Sequence, residues 1–202
     1  VIGFQGILNY KIKDKDSSIE GTEEPEPILF SSDPNFRPVD IETAPDGSLY
    51  FVDWQNPIIG HMQHNLRDPS RNRTYGRVYR VTAEGRPLMK PAPIAGESIE
   101  KLLEVLKSPD DRARYRARIE LSGRPTGEVI AAATKWLADA NGANTEHAQL
   151  EGLWLHQSHN VVNSTLLEKV LNSKDFRARA AAVKVATYWR DRLSNALDLL
   201  KV

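Results

Sequence analysis

Apolar positions follow two different periods along this chain. Up to about residue 84 the apolar runs are short and rich in Val, Ile, Phe and Tyr, and Pro, Gly, Asp or Asn interrupts them every few residues. Ile7-Leu8-Asn9-Tyr10-Lys11-Ile12 and Ile28-Leu29-Phe30 read as strands. Residues 39–44 alternate with a period of two, residues 48–54 form a nearly continuous apolar strand, and residues 77–82 alternate again. Pro45-Asp46-Gly47 lies between the segments 39–44 and 48–54. Pro fixes φ and Gly supplies a positive φ, so a tight turn is expected and residues 39–54 are predicted to form a β-hairpin.

From Glu97 onward the period becomes helical. Ile99, Leu102, Leu103 and Leu106 recur at helical spacing, as do Val129, Ile130, Ala133, Trp136 and Leu137. Leu150, Leu153 and Trp154 form a third stripe, Val162, Leu166 and Val170 a fourth, and Phe176, Ala180, Val183 and Thr187 a fifth. Each break between segments carries a helix stop or a capping residue: Ser108-Pro109-Asp110, Gly123-Arg124-Pro125-Thr126, Asn141-Gly142-Ala143-Asn144 and Asn172-Ser173-Lys174-Asp175. The expected organisation is a β part over residues 1–84, a stiff proline-rich connector over 85–96, and a helical part over 97–202.

The helical part contains a repeat. Residues 102–121 read LLEVLKSPDDRARYRARIEL and residues 167–186 read LEKVLNSKDFRARAAAVKVA, with nine of 20 positions identical. A helix pair at 126–138 and 146–157 fits between them as an intermediate unit, giving a period near ~32 residues. Stacked helix pairs, each burying its apolar stripe on the next, explain such a period. The Ser-x-Asp-x-Arg-Ala-Arg turn resembles a HEAT repeat. Arg112, Arg114, Arg116 and Arg118 read as a salt-bridged face, with Asp110, Asp111 and Glu120 close by.

Charge and composition narrow the function. Lys+Arg and Asp+Glu both total 27, and 40% of residues are hydrophobic. The balance removes the usual electrostatic basis for nucleic-acid binding, and the apolar share suits a folded core. Cysteine is absent, which excludes disulfides, zinc thiolates, iron–sulfur clusters, a thiol nucleophile and a covalent c-type haem within this chain. No apolar run approaches the roughly 18–20 residues of a membrane-spanning helix. The chain opens on Val1-Ile2-Gly3-Phe4 rather than Met, which reads as a fragment of a longer protein.

The richest polar segment is the loop over residues 55–76, which leaves a strand ending in Asp53-Trp54. Loops of this length are often functional. His61 and His64, three apart, are candidate metal ligands with Asp53 or Asp68, or hydrogen-bonded structural histidines; Met62 beside them is a remote haem-ligand candidate. Arg67, Arg71 and Arg73 suit an anionic group or pairing with Asp68 and Asp53. Arg37 and Asp40 bracket the start of a strand. In a radial β-propeller that position lies at the channel mouth, and the local alternative is an Asp–Arg bridge fixing the turn. His147, His156 and His159 lack clean ligand spacing, so no metal site is expected.

Residues 35–82, NFRPVDIETAPDGSLYFVDWQNPIIGHMQHNLRDPSRNRTYGRVYRVT, followed by Gly85-Arg86-Pro87-Leu88, resemble large secreted proteins of planctomycetes and verrucomicrobia. These are membrane-bound dehydrogenases or PVC-type haem-binding CxxCH proteins. The helical segments YRARIEL, LWLHQSHNVVN and DFRARAAAVKVATYWRDR are similar to the same family. The resemblance implies an α+β, two-part chain: the C-terminal part of a β-propeller similar to glucose/sorbosone dehydrogenases, followed by a HEAT-like helical solenoid. It implies a periplasmic or extracellular protein that oxidises a sugar or alcohol and passes electrons to a c-type haem domain outside this chain. A quinone cofactor is implied for the whole protein, with Arg37 or Arg67 facing its carboxylates and His61 or His64 accepting a proton. Asp40, Asp53 and Trp54 complete the candidate binding set. No cofactor is expected within this chain itself, and the fragment is expected to be inactive alone. The alternative is a non-catalytic scaffold that binds a carbohydrate or protein, with a protein partner docked on the helical repeats.

Overall fold

The computed structural model describes residues 4–16, 18–57, 68–140, 145–194, 196 and 198–200. The fold mixes α and β: six α-helices and three small antiparallel sheets, none closed into a barrel among the described residues. The chain divides into two compact units, Val1–Lys90 and Pro91–Val202.

In the first unit, β1 (Gly6–Ile7) pairs with β4 (Leu29–Phe30), and β2 (Tyr10–Lys15) pairs with β3 (Ser18–Glu23). The single strand expected over residues 7–12 is thus two strands, which part at Leu8-Asn9 to join different ladders. Gly6 is required at the first crossing: a Cβ there would lie 2.6 Å from the Leu29 carbonyl oxygen. The third sheet has the order β5 (Pro38–Thr43), β6 (Leu49–Asp53), β7 (Arg77–Val81). The Pro45-Asp46-Gly47 turn joins β5 to β6 as the hairpin expected. Gly47 sits at φ 81°, Ala44 N–H donates to Ser48 O at 2.8 Å, and the Asp46 carboxylate accepts from the Ser48 N–H and hydroxyl.

Alternation sorts the residues of this sheet into two faces. One carries Phe51, Asp53, Arg77 and Tyr79; Phe51 stacks on Tyr79 at 5.0 Å, and Phe36 meets both rings edge-on. The other face leaves Tyr50, Val52 and Val78 exposed.

The second unit holds α1 (Ile99–Val105), α2 (Asp111–Ser122), α3 (Thr126–Ala138), α4 (Thr145–Ser158), α5 (Ser164–Leu171) and α6 (Phe176–Trp189), closed by two short 3-10 turns. α1 packs on α2 and α3, while α4 packs on α2, α3, α5 and α6. α4 therefore feeds two cores. Ala148 and Leu155 join Leu102, Leu106, Leu121 and Trp136, whereas Leu153 joins Leu167, Val185 and Trp189.

The two copies of the repeated turn have the same geometry. Asp110 Oδ1 accepts from Arg112 N–H and Asp175 Oδ1 from Arg177 N–H, at 3.0 and 2.8 Å. Ser108 and Ser173 hydroxyls accept from the N–H groups of Asp110 and Asp175. Arg114 Nη1 donates to Ser108 O at 2.7 Å, and Arg179 Nη1 to Ser173 O at 2.8 Å. Side-chain caps thus satisfy backbone donors at each second helix of a hairpin. One expectation is reversed. The Phe176–Ala180–Val183–Thr187 stripe of α6 faces solvent, and the helix buries Ala178, Ala182, Val185, Ala186 and Trp189 instead.

Candidate functional site

Asp53 is the centre of a connected polar cluster among the described residues of the first unit. It ends β6, directly across the ladder from Arg77. Pro38, its partner on the other side, has no N–H to give the ladder, and the register shifts between Pro38 and Asp40. The Asp53 side chain supplies what the ladder lacks there. Its Oδ1 accepts from Arg37 N–H at 2.7 Å and Gln55 N–H at 2.8 Å, and its Oδ2 accepts from Arg77 Nε at 2.7 Å. The carboxylate is fully enclosed.

Arg77 reaches a second acid. Its Nη2 donates to Asp33 Oδ2 at 3.1 Å, so one guanidinium bridges two carboxylates. A turn sets Asp33 in place: Oδ1 accepts from Asn35 N–H at 2.8 Å and its carbonyl accepts from Phe36 N–H and Gln5 Nε2. The Asn35 N–H, then Arg77, hold the Asp33 carboxyl below the usual range. Burial pulls the Arg77 guanidinium down, but its hydrogen bonds to Asp33 and Asp53 outweigh it and leave it raised.

A cleft of about 280 Å³ opens over this cluster, lined among others by Phe30, Asp33, Phe36, Phe51, Arg77 and Tyr79. Arg80 also lines it, and its Nη2 donates to Asp46 Oδ2 at 2.6 Å. Both arginines therefore have acidic partners, and the cleft combines aromatic rings with a charge-balanced polar wall. Such a lining suits a neutral ligand that carries hydroxyls on one side and C–H surface on the other.

The predicted site residues fall as follows. Asp53 belongs to the cluster. Arg37 is 7% exposed, with Nη1 donating to Phe36 O and Nη2 to Pro57 O, so the structure joins it to Asp53 through its backbone and not to Asp40. Asp40 is exposed, and its Oδ1 accepts from Ile41 N–H. Trp54 is part-exposed, with the Arg71 guanidinium 5.6 Å from its ring centre. His61, Met62, His64 and Arg67 lie outside the described residues. Asp33, Arg77 and the cleft aromatics were not singled out from sequence. Arg77 begins an alternating strand, but nothing in that alternation places it opposite Asp53.

The implied cofactors can be tested against these residues. The Arg37 guanidinium is enclosed and turned to two backbone carbonyls, which does not fit a quinone carboxylate. A c-type haem would need cysteines that the chain does not have.

In the second unit His147 Nε2 donates to Leu106 O at 3.0 Å and His159 Nε2 to Leu121 O at 3.1 Å. His156 Nδ1 donates to Gly152 O while Nε2 accepts from Asn163 Nδ2. These histidines close helix ends and bridge helices. Among the described residues no group of three His, Cys, Asp or Glu converges as a metal site, and no helix is long and apolar enough to cross a membrane.

No curated protein and no solved structure matches the chain. Residues 7–85, which contain the cluster and its cleft, match a family described as Domain of unknown function (DUF7133).

Proposed function

We propose that this chain is a propeller segment followed by HEAT-like repeats from an exported redox protein that oxidises a sugar or alcohol, and that its own part is to bind. In this reading residues 38–81 are strands of a propeller blade. The second unit is a short HEAT-like stack, and electrons pass to a haem domain of the longer protein. The observation that carries the binding role is the cleft over Asp33, Arg77 and Tyr79, where aromatic rings face paired charges. The Asp53 carboxylate is fully enclosed and does not line the cleft, so Asp53 positions the wall of the cleft through Arg77.

Hydroxyls of a sugar would exchange hydrogen bonds with the exposed edge of Asp33 and Arg77, and its C–H face would lie on the rings. The test is the melting temperature of the full chain across a panel of neutral sugars and polyols. Stabilisation by a subset, lost in Arg77→Lys and kept in Asp40→Asn, is expected. A flat response across the panel would overturn the binding role.

The second reading is a non-catalytic carbohydrate- or protein-binding scaffold, favoured by the enclosure of Asp53 and the acidic partners that Arg77 and Arg80 already have. Dye reduction by the longer protein, supplied with quinone, Ca²⁺ and the stabilising sugar, separates the two: turnover supports the dehydrogenase and its absence supports the scaffold.

A further inference from the structure

The internal repeat shows what should lie against α6. Arg114 and Arg118 of α2 correspond, 65 residues on, to Arg179 and Val183 of α6. On α2 the side that carries Arg114 and Arg118 is covered by α4, while Asp111, Tyr115 and Ser122 stay exposed. Arg118 Nη1 donates to both Glu151 oxygens at 2.7 Å, Arg114 Nε lies 3.3 Å from Glu151 Oε1, and the Arg118 guanidinium lies 5.1 Å from the Trp154 ring centre. The covering helix carries Glu146 and Glu151 and no Lys or Arg. Its glutamate and tryptophan, three apart, meet the two α2 arginines on one side.

On α6 the corresponding positions are Arg179, half-buried, and Val183, which is exposed. Val183 is 39% exposed and Phe176 47% exposed, with Ala180 and Thr187 on the same stripe. Arg179 flanks the stripe on one side; Arg177 and Lys184 flank it on the other. Arg179 is already anchored through Nη1 to Ser173 O, in the way Arg114 is anchored to Ser108 O. A second α6 would bring its own basic flanks against these, so like charge disfavours self-pairing.

We propose that the Arg179–Val183 side of α6 docks an acidic helix, with a carboxylate reaching Arg179 and, three residues on, an aromatic or large apolar side chain over Val183. The contact repeats the α2–α4 interface and is independent of the cleft in the first unit.

The probe is a fluorescein-labelled 14-residue peptide with the α4 sequence, residues 145–158, stapled on the face away from Glu151 and Trp154. Anisotropy is measured against the full chain. Saturable binding that weakens as salt rises is expected. Val183→Asp should weaken it at least about tenfold, and Arg179→Gln should reduce the salt dependence. Val183 is partly exposed on an otherwise well-packed helix, so circular dichroism should report an unchanged fold; Val183→Lys offers a second probe of the same site. No binding, equal affinity for the Val183 variants, or equal binding of a peptide carrying Glu151→Lys would overturn the proposal. So would concentration-dependent dimerisation of the chain that Val183→Asp abolishes, because the occupant would then be a second copy.

Discussion

A buried carboxylate with three donors is a costly group to lose. Asp53→Ala would strip Arg77 Nε, Arg37 N–H and Gln55 N–H of their acceptor and leave a half-buried guanidinium with one partner. The expected cost is about 2–3 kcal/mol, read as a fall in the urea midpoint with unchanged m. Asp33 and Asp46 add a pH dependence. Both have folded pKa values held below the ordinary carboxylate range, Asp33 mainly by the Asn35 N–H and Asp46 mainly by the Ser48 hydroxyl. Their contribution is fully present above about pH 4, the unfolded value, and disappears as pH falls through the lower folded values. Urea melts at pH 7 and pH 3 should therefore show an acid loss that Asp33→Asn reduces; an unchanged slope would exclude Asp33 as a source. Asp53 drew notice in the sequence because it ends a buried strand before a long polar loop. Its partners did not. Arg77 is 24 residues away and Asp33 lies 44 residues from Arg77, and alternation within one strand says nothing about which strand pairs with it. Asp40 brackets the strand start with Arg37 in the sequence, but its register opposite Val52 puts it on the open face.

Among the elements, the capped turns are where local sequence decides most. Asp110→Ala and Asp175→Ala each remove a side-chain acceptor from a helix start and should each cost about 1 kcal/mol. The sites share no partner, so the double variant should sum the two within about 0.5 kcal/mol, as thermal denaturation would show. Ser-x-Asp ahead of a helical stripe made these turns legible, and the 65-residue spacing made the repeat legible. α4 was less so. It touches four helices, buries Glu151 and His156 as well as Leu153 and Leu155, and has no single apolar face for a period to reveal. Gly152 belongs to that crowding: a Cβ would meet Leu137 Cδ1 at 2.8 Å and Cγ at 3.2 Å. Gly152→Ala should then destabilise despite the better helix propensity of alanine, measured against Gly127→Ala, where nothing lies within 4 Å. α6 defeated the pattern differently. Its alanines at 178, 182 and 186 and the stripe Phe176–Ala180–Val183–Thr187 are both at helical spacing, so periodicity offers two faces and only packing against α4 and α5 selects one. β3 was missed because Ser18–Glu23 carries a single large apolar residue, Ile19, and is exposed throughout, held by its ladder to β2 and not by a buried side.

The two units differ in how much apolar surface they bury by themselves. In the helical unit Leu102, Leu106, Leu121, Val129, Leu153, Leu155 and Leu167 are all fully enclosed. In the β unit the buried apolar side chains among the described residues are Phe36, Pro38 and Phe51, whereas Ile12, Ile19, Val39 and Val78 are each more than half exposed. β5 and β7 are edges of a three-stranded sheet whose second face is also open. The change of period at the proline-rich connector announced two units, but it could not announce this imbalance. Alternation marks which residues of a strand point the same way, and not whether anything lies against them. The imbalance predicts opposite behaviour for the halves. Residues 91–202 expressed alone should form a helical monomer that melts cooperatively, because both of its cores are complete within that span. Residues 1–90 alone should self-associate, because open strand edges and an uncovered Tyr50–Val52–Val78 face offer ladder bonds and apolar contact to other copies. Gel filtration with far-UV circular dichroism checks both. Aggregation of the β unit that is relieved by Val52→Lys and Val78→Lys on the open face would locate the cause in that face. A soluble β unit with a sharp melting transition would mean instead that the Phe36–Phe51–Tyr79 cluster and the Asp53 network suffice without any covering layer, and the case for a blade that needs neighbours would fail.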